Sequence, residues 1–143
     1  MKTLTLLVTI AAVSVAQSGG ASITGSWTAQ FEGRTFLKLE LKTVDGTITG
    51  GMRIGNIEFN KQGALRRVGE LPRDLRPIFD VTERHSTVTF STKDTDDSTP
   101  DRFELQLLES GRAELQFLLS DAQRAELTAI GIPALKPIPL TKQ

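Results

Sequence analysis

The chain has no cysteine and no tyrosine, and only one histidine and one tryptophan in 143 residues. Without cysteine there is no disulfide framework, no thiolate nucleophile and none of the commonest structural zinc sites, and a single histidine excludes a His-cluster metal centre. Charge of one sign is also lacking. Seventeen Lys and Arg balance seventeen Asp and Glu, so no nucleic-acid partner and no bulk attraction to an anionic membrane are expected. The apolar run at residues 4–15 is interrupted by Thr5, Thr9 and Ser14. It falls short of the roughly 20 residues that carry a helix across a bilayer. What remains at this length is one globular domain, either a binding or structural module or an enzyme built from carboxylates and hydroxyls.

The amino-terminal stretch has the form of a secretory signal peptide: Lys2, the short apolar run, then Ser14-Val15-Ala16 with small residues where a signal peptidase reads. Cleavage is expected after Ala16, with Ala21 as the second choice, leaving a mature chain of formal charge −1 with no transmembrane segment. The expected domains are a signal peptide at 1–16, a linker at 17–22, a barrel at 23–119, a helix at 120–131 and an extended tail at 132–143. The expected location is secreted or periplasmic, in a bacterium.

From residue 23 to 119 apolar and polar residues alternate with a period of two, broken by turn residues every roughly 8–12 positions, the pattern of an all-β sandwich or barrel. Trp27, Ala29 and Phe31 share one face of a first strand, and Gly33-Arg34 makes the turn. Thr35, Leu37, Leu39 and Leu41 point inward on a second strand, with Phe36, Lys38, Glu40 and Lys42 outward. Asp45-Gly46 is a strong hairpin turn, and Gly50-Gly51 marks a bulge or bend in the third strand. A fourth strand covers 57–59 and continues toward 65–68. Residues 69–77, with Pro72 and Pro77, form an irregular loop. Two hairpins follow: Phe79 and Val81 face Val88 and Phe90 in one, and Phe103, Leu105 and Leu107 face Ala113, Leu115 and Phe117 in the other. Ser120 and Gln123 form a capping box for a helix ended by Gly131 and Pro133. Its apolar stripe is expected to lie outside the sheet on Leu108 and Leu118. The reading is an all-β, about eight-stranded antiparallel up-and-down barrel with a short carboxy-terminal helix.

Eight sequential strands, the opening Gly25-Ser26-Trp27 and a late helix resemble the calycin group of lipocalins, fatty-acid-binding proteins and avidins. The stretch Ile23-Thr24-Gly25-Ser26-Trp27, with Gln30, Thr35-Phe36, Asp45-Gly46 and Thr47-Ile48-Thr49-Gly50, is similar to the opening of the streptavidin-type barrel. It is also similar to secreted bacterial domains that begin with a Gly-x-Trp strand. The resemblance implies an arginine from late in the chain across the Trp27 ring, for which Arg102, Arg112 and Arg124 are the candidates. The avidin pocket needs several tryptophans and a tyrosine that this chain lacks, so biotin is not the expected ligand. Leu and Phe at most inward positions could fill the interior themselves.

Catalytic constellations are sparse. His85 sits at a hairpin tip, and no Gly-x-Ser-x-Gly elbow supports a hydrolase triad. Asp94, Asp96, Asp97 and Asp101 offer hard oxygen ligands for Ca²⁺, but without EF-hand spacing they read better as a solvated turn. No cofactor is expected. Charge is segregated: residues 61–76 carry Lys61, Arg66, Arg67, Arg73 and Arg76 against Glu70 and Asp74, while residues 94–114 carry seven acids against Arg102 and Arg112. The expectation is a non-catalytic exported binding protein. Its partner would be a small molecule in the barrel mouth or an anionic macromolecule at the 69–77 loop, with Trp27, Phe31, Arg66, Arg67, Arg73 and Arg76 as ligand-binding residues. The alternatives are an accessory or inhibitor-type barrel with a filled core and, last, a carboxylate-based hydrolase.

Overall fold

The computed structural model describes residues 23–93 and 99–143. The expected signal peptide and Asp94, Asp96 and Asp97 lie outside the described residues. Among the described residues, eleven strands and one complete helix follow in chain order: β1 (Gly25–Phe31), β2 (Arg34–Val44), β3 (Thr47–Ile54), β4 (Ile57–Phe59), β5 (Leu65–Val68), β6 (Arg76–Pro77), β7 (Phe79–Arg84), β8 (Thr87–Thr92), β9 (Asp101–Glu109), β10 (Arg112–Leu118), α1 (Asp121–Ala129) and β11 (Ile138–Lys142). Nine of the strands form one antiparallel sheet in the order β6-β3-β2-β1-β11-β10-β9-β8-β7. Because β6 pairs with β3 and runs within two residues into β7 at the other edge, the sheet curls into a nearly closed barrel.

The alternation that points to strands also fills the barrel. Trp27, Leu37, Leu39, Met52, Phe90, Phe103, Leu105, Leu115, Ile138 and Leu140 are buried in one cluster. Phe90 stacks on Phe103 with ring centroids 5.5 Å apart, and Phe103 meets Phe117 at 5.0 Å. The interior is packed with side chains in the manner of a small barrel.

Several expectations are corrected by strand irregularities. Ala29 pairs with Leu37 and Gln30 with Thr35, so Phe36 is an extra residue in β2 and turns into the core, where it is fully buried. Between Phe79↔Ser91 and Thr82↔Thr89, β7 carries two residues against Phe90, with Asp80 at φ 51°. This leaves Phe79 exposed, while Ile78 and Val81 pack on the core. Gly50-Gly51 is no bulge, since the β2–β3 pairing runs through it unshifted. Gly50, at φ 155°, is needed because a Cβ there would collide with the Glu40 carbonyl.

The fourth expected strand leaves the barrel wall: β4 and β5 form a separate hairpin. Beside β3 its place is taken by the two-residue β6, and the wall gains a strand from the tail, expected to be merely extended, whose β11 inserts between β1 and β10. The helix carries the expected capping box, Ser120 Oγ accepting from the Gln123 amide at 3.1 Å and Gln123 Oε1 accepting from the Ser120 amide at 2.9 Å. It does not cover Leu108, which is half exposed as the extra residue of a β9 bulge, and α1 buries no residue. No helix among the described residues is long and apolar enough to cross a membrane.

Candidate functional site

The β4–β5 hairpin is built to sit on the barrel and present charge outward. Ile57, Leu65 and Val68 turn inward, and Phe59 meets Phe117 edge-on with centroids 5.9 Å apart. Backbone bonds fix its position: the Gly55 amide donates to the Phe36 carbonyl at 2.8 Å, and the Lys136 amide donates to the Gly63 carbonyl at 2.9 Å. At its turn Asn60 Oδ1 accepts from the Gln62 and Ala64 amides at 2.9 and 3.0 Å. Residues 134–136 of the carboxy-terminal segment therefore strap the hairpin before the chain re-enters the sheet as β11.

The hairpin has its own bulge. Glu58 pairs with Arg67 and Phe59 with Leu65, so Arg66 is the extra residue. Two consecutive arginines consequently reach solvent on the same side, and both approach Glu58: Arg66 Nη2 lies 3.6 Å from Glu58 Oε1 and Arg67 Nη1 lies 3.4 Å from Glu58 Oε2. One carboxylate is thus shared between two guanidiniums, each well exposed, and such surface pairs are weak enough to be exchanged for another anion.

Across from the hairpin, the β1–β2 turn brings in Phe31, Glu32 and Arg34. Phe31, Glu32, Arg34, Arg66, Arg67 and Val68 line one cleft of about 300 Å³. Arg34 has no ion-pair partner among the described residues. Three guanidiniums over an apolar floor of Phe31 and Val68, with Glu32 as the one acidic lining residue, suit an oxyanion, because the planar fork of arginine matches carboxylate and phosphate oxygens.

Three of the six residues singled out from the sequence, Phe31, Arg66 and Arg67, meet in this cleft. The others do not. Arg76 lines a different cleft of about 260 Å³ at the barrel mouth with Asp101, Phe59, Phe103 and Phe117, and Arg73 is exposed on the loop between β5 and β6. Trp27 is fully buried, with its indole N–H donating to the Ile23 carbonyl at 2.9 Å. Its cationic neighbour is neither Arg102, Arg112 nor Arg124 but Lys142, whose Nζ stands 5.6 Å from the ring centroid. The Lys142 stem crosses Gly25, whose φ of 130° is a backbone conformation that residues with a Cβ rarely adopt, so the glycine of the Gly-x-Trp pair is explained by its backbone. Arg102 donates instead to Ser91 Oγ at 3.1 Å and Arg112 to Glu109 at 2.9 Å. Arg34 was hidden in the sequence as a turn residue. Its signal was its place three residues after Phe31, at the same end of the first hairpin.

His85 is exposed at its turn, with φ 50°. No group of three or more His, Asp or Glu among the described residues is arranged to hold a metal ion. In comparisons with known proteins, no family model, no curated protein and no solved structure matches this chain.

Proposed function

We propose that this is an exported, non-catalytic, calycin-like binding protein that takes an anionic group at one end of a packed barrel, between the β1–β2 turn and the β4–β5 hairpin. The observation that carries the reading is the convergence of Arg34, Arg66 and Arg67 on one cleft from two separate elements. Of the two modes expected from the sequence, capture of an anion fits better than a ligand held inside, because the barrel interior is occupied by Leu, Phe, Met and Trp side chains. The anion-binding surface is the hairpin rather than the 69–77 loop. The packed interior also favours the second reading, an accessory or inhibitor-type domain acting by protein contact, in which the same arginines meet an acidic partner surface.

The test is titration of the ¹⁵N-labelled protein with inorganic phosphate at constant ionic strength. Amide shifts at Arg34 and at Arg66 through Val68 that saturate, and that vanish in an Arg66→Glu/Arg67→Glu double variant, are expected. Shifts no larger than those produced by chloride, or shifts unchanged in the variant, would overturn the reading. Both arginine side chains are more than half exposed, so the variant keeps its fold.

A further inference from the structure

Arg66 also lines a second cleft, which adjoins the first at the same hairpin. This cleft, of about 450 Å³, is bounded by Phe59, Asn60, Lys61, Gln62, Arg66, Ile130 and Ile132. Its character differs from that of its neighbour. Phe59, Ile130 and Ile132 form an apolar floor, and Ile130, the residue that ends α1, is 63% exposed, the most exposed large hydrophobic among the described residues. No acidic residue lines it, and the two cations at its rim are Lys61, which has no ion-pair partner among the described residues, and Arg66, which shares Glu58 with Arg67. Asn60 is spent on the turn amides, so it does not compete for the cations.

An apolar trough that opens onto cations is matched by a molecule with an apolar tail and an anionic head. Taken with Arg34 and Arg67 in the adjoining cleft, four cations stand against Glu32 and Glu58, an excess of two positive charges around the hairpin. We propose that the hairpin binds a single-chain amphiphilic anion, an alkyl phosphate or carboxylate, with its tail on Phe59, Ile130 and Ile132 and its head on Arg66, the side chain that lines both clefts, flanked by Lys61. This rests on the anion-binding reading above and names its ligand class. The occupant is one dissolved amphiphile rather than a bilayer surface, because the apolar residues line a concave trough beside the hairpin and the chain as a whole has no net positive charge to draw it to a membrane.

Octyl phosphate below its micelle concentration is the probe, read by amide shifts and calorimetry against inorganic phosphate, neutral octyl glucoside and phosphatidylglycerol vesicles. Octyl phosphate is expected to bind at least about tenfold tighter than inorganic phosphate, the gain from burying roughly two methylenes, and to shift the amides of residues 59–62 and 130–132. Ile130→Asn, a neutral change at an exposed position, should erase that gain while leaving the response to phosphate intact. If phosphate binds at the arginines but octyl phosphate binds no tighter, the amphiphile inference fails and the anion reading stands. If neither binds, both fail. Equal affinity for octyl glucoside and octyl phosphate would remove the role of the cations, and binding to vesicles alone would replace the dissolved ligand with a membrane surface; either result overturns the proposal.

Discussion

Phe36 owes its burial to a single extra residue in β2. In an unbroken strand its side chain would share the solvent face with Lys38 and Glu40, but the bulge between the Ala29 and Gln30 pairings turns it into the core beside Leu37. Phe79 shows the opposite case, an aromatic residue turned outward by the irregularity in β7. The two make a matched pair of substitutions. Phe36→Ala removes a fully buried ring and is expected to cost about 3–5 kcal/mol, whereas Phe79→Ala should cost less than about 1 kcal/mol. Urea denaturation of both variants checks this, and equal losses would mean the bulges are misplaced. Phe36 and Phe79 share one cause of misreading: period-two reasoning assigns a face by counting, and one inserted residue inverts the count without leaving a mark in composition. Arg66 and Arg67 show the same device at the candidate site, where a bulge lets two neighbours reach solvent together. Their charge could be read from the sequence, but their shared direction could not.

At the scale of elements, the tail strand is the least legible part of the fold. Ile138 and Leu140 stand two residues apart as on one face of a strand, yet Pro137 and Pro139 argue against a strand in the interior of a sheet. β11 accommodates Pro139 through its pairing. The Lys142 amide points to β10, donating to Gly111 at 2.9 Å, while the Gln143 amide points to β1, donating to Ser26 at 2.8 Å. By alternation, position 139 would direct its missing N–H toward β1, and the β1 ladder has already ended at Thr28↔Thr141. The proline sits where no donor is required. Leu140 is fully buried between the two neighbouring strands, so Leu140→Ala should destabilise the whole domain by about 2–5 kcal/mol. The helix behaves differently. Ser120→Ala removes a cap that stabilises α1 by about 1 kcal/mol, but α1 buries nothing, and the barrel's denaturation midpoint should hardly move. Amide exchange in α1 and chemical denaturation of the barrel separate the two effects; a barrel that loses as much stability with Ser120→Ala as with Leu140→Ala would show that the helix is part of the cooperative core.

For the whole molecule, the cylinder is weaker along the β3–β7 closure than along its long ladders, and the β1–β11 join is short as well, pairing only Trp27 with Lys142 and Thr28 with Thr141. β2 and β3 pair over eight positions and β9 and β10 over seven, whereas closure between β3 and β7 passes through the two residues of β6 and one further bond, the Ile78 amide donating to the Gly50 carbonyl at 3.1 Å. Pro77 supplies no donor to that seam. Local openings concentrate where few hydrogen bonds and few buried contacts must break together, so the seam should open without the rest of the barrel. Native-state hydrogen exchange across a denaturant series is expected to give the Ile78 amide a low opening free energy, nearly independent of denaturant. The amides of Leu39, Leu105 and Leu115, inside continuous ladders, should exchange only through global unfolding. The β4–β5 hairpin lies in the chain between β3 and β6, but it is held from the other side by Phe36 and the Gly63–Lys136 contact. Opening of the seam should therefore leave Gly55 and Lys136 protected, and the arginine cleft assembled. If Ile78 proves as protected as Leu39, the barrel is closed in the cooperative sense. If Gly55 and Lys136 exchange together with Ile78, the hairpin and seam form one mobile unit and the binding end is not preorganised.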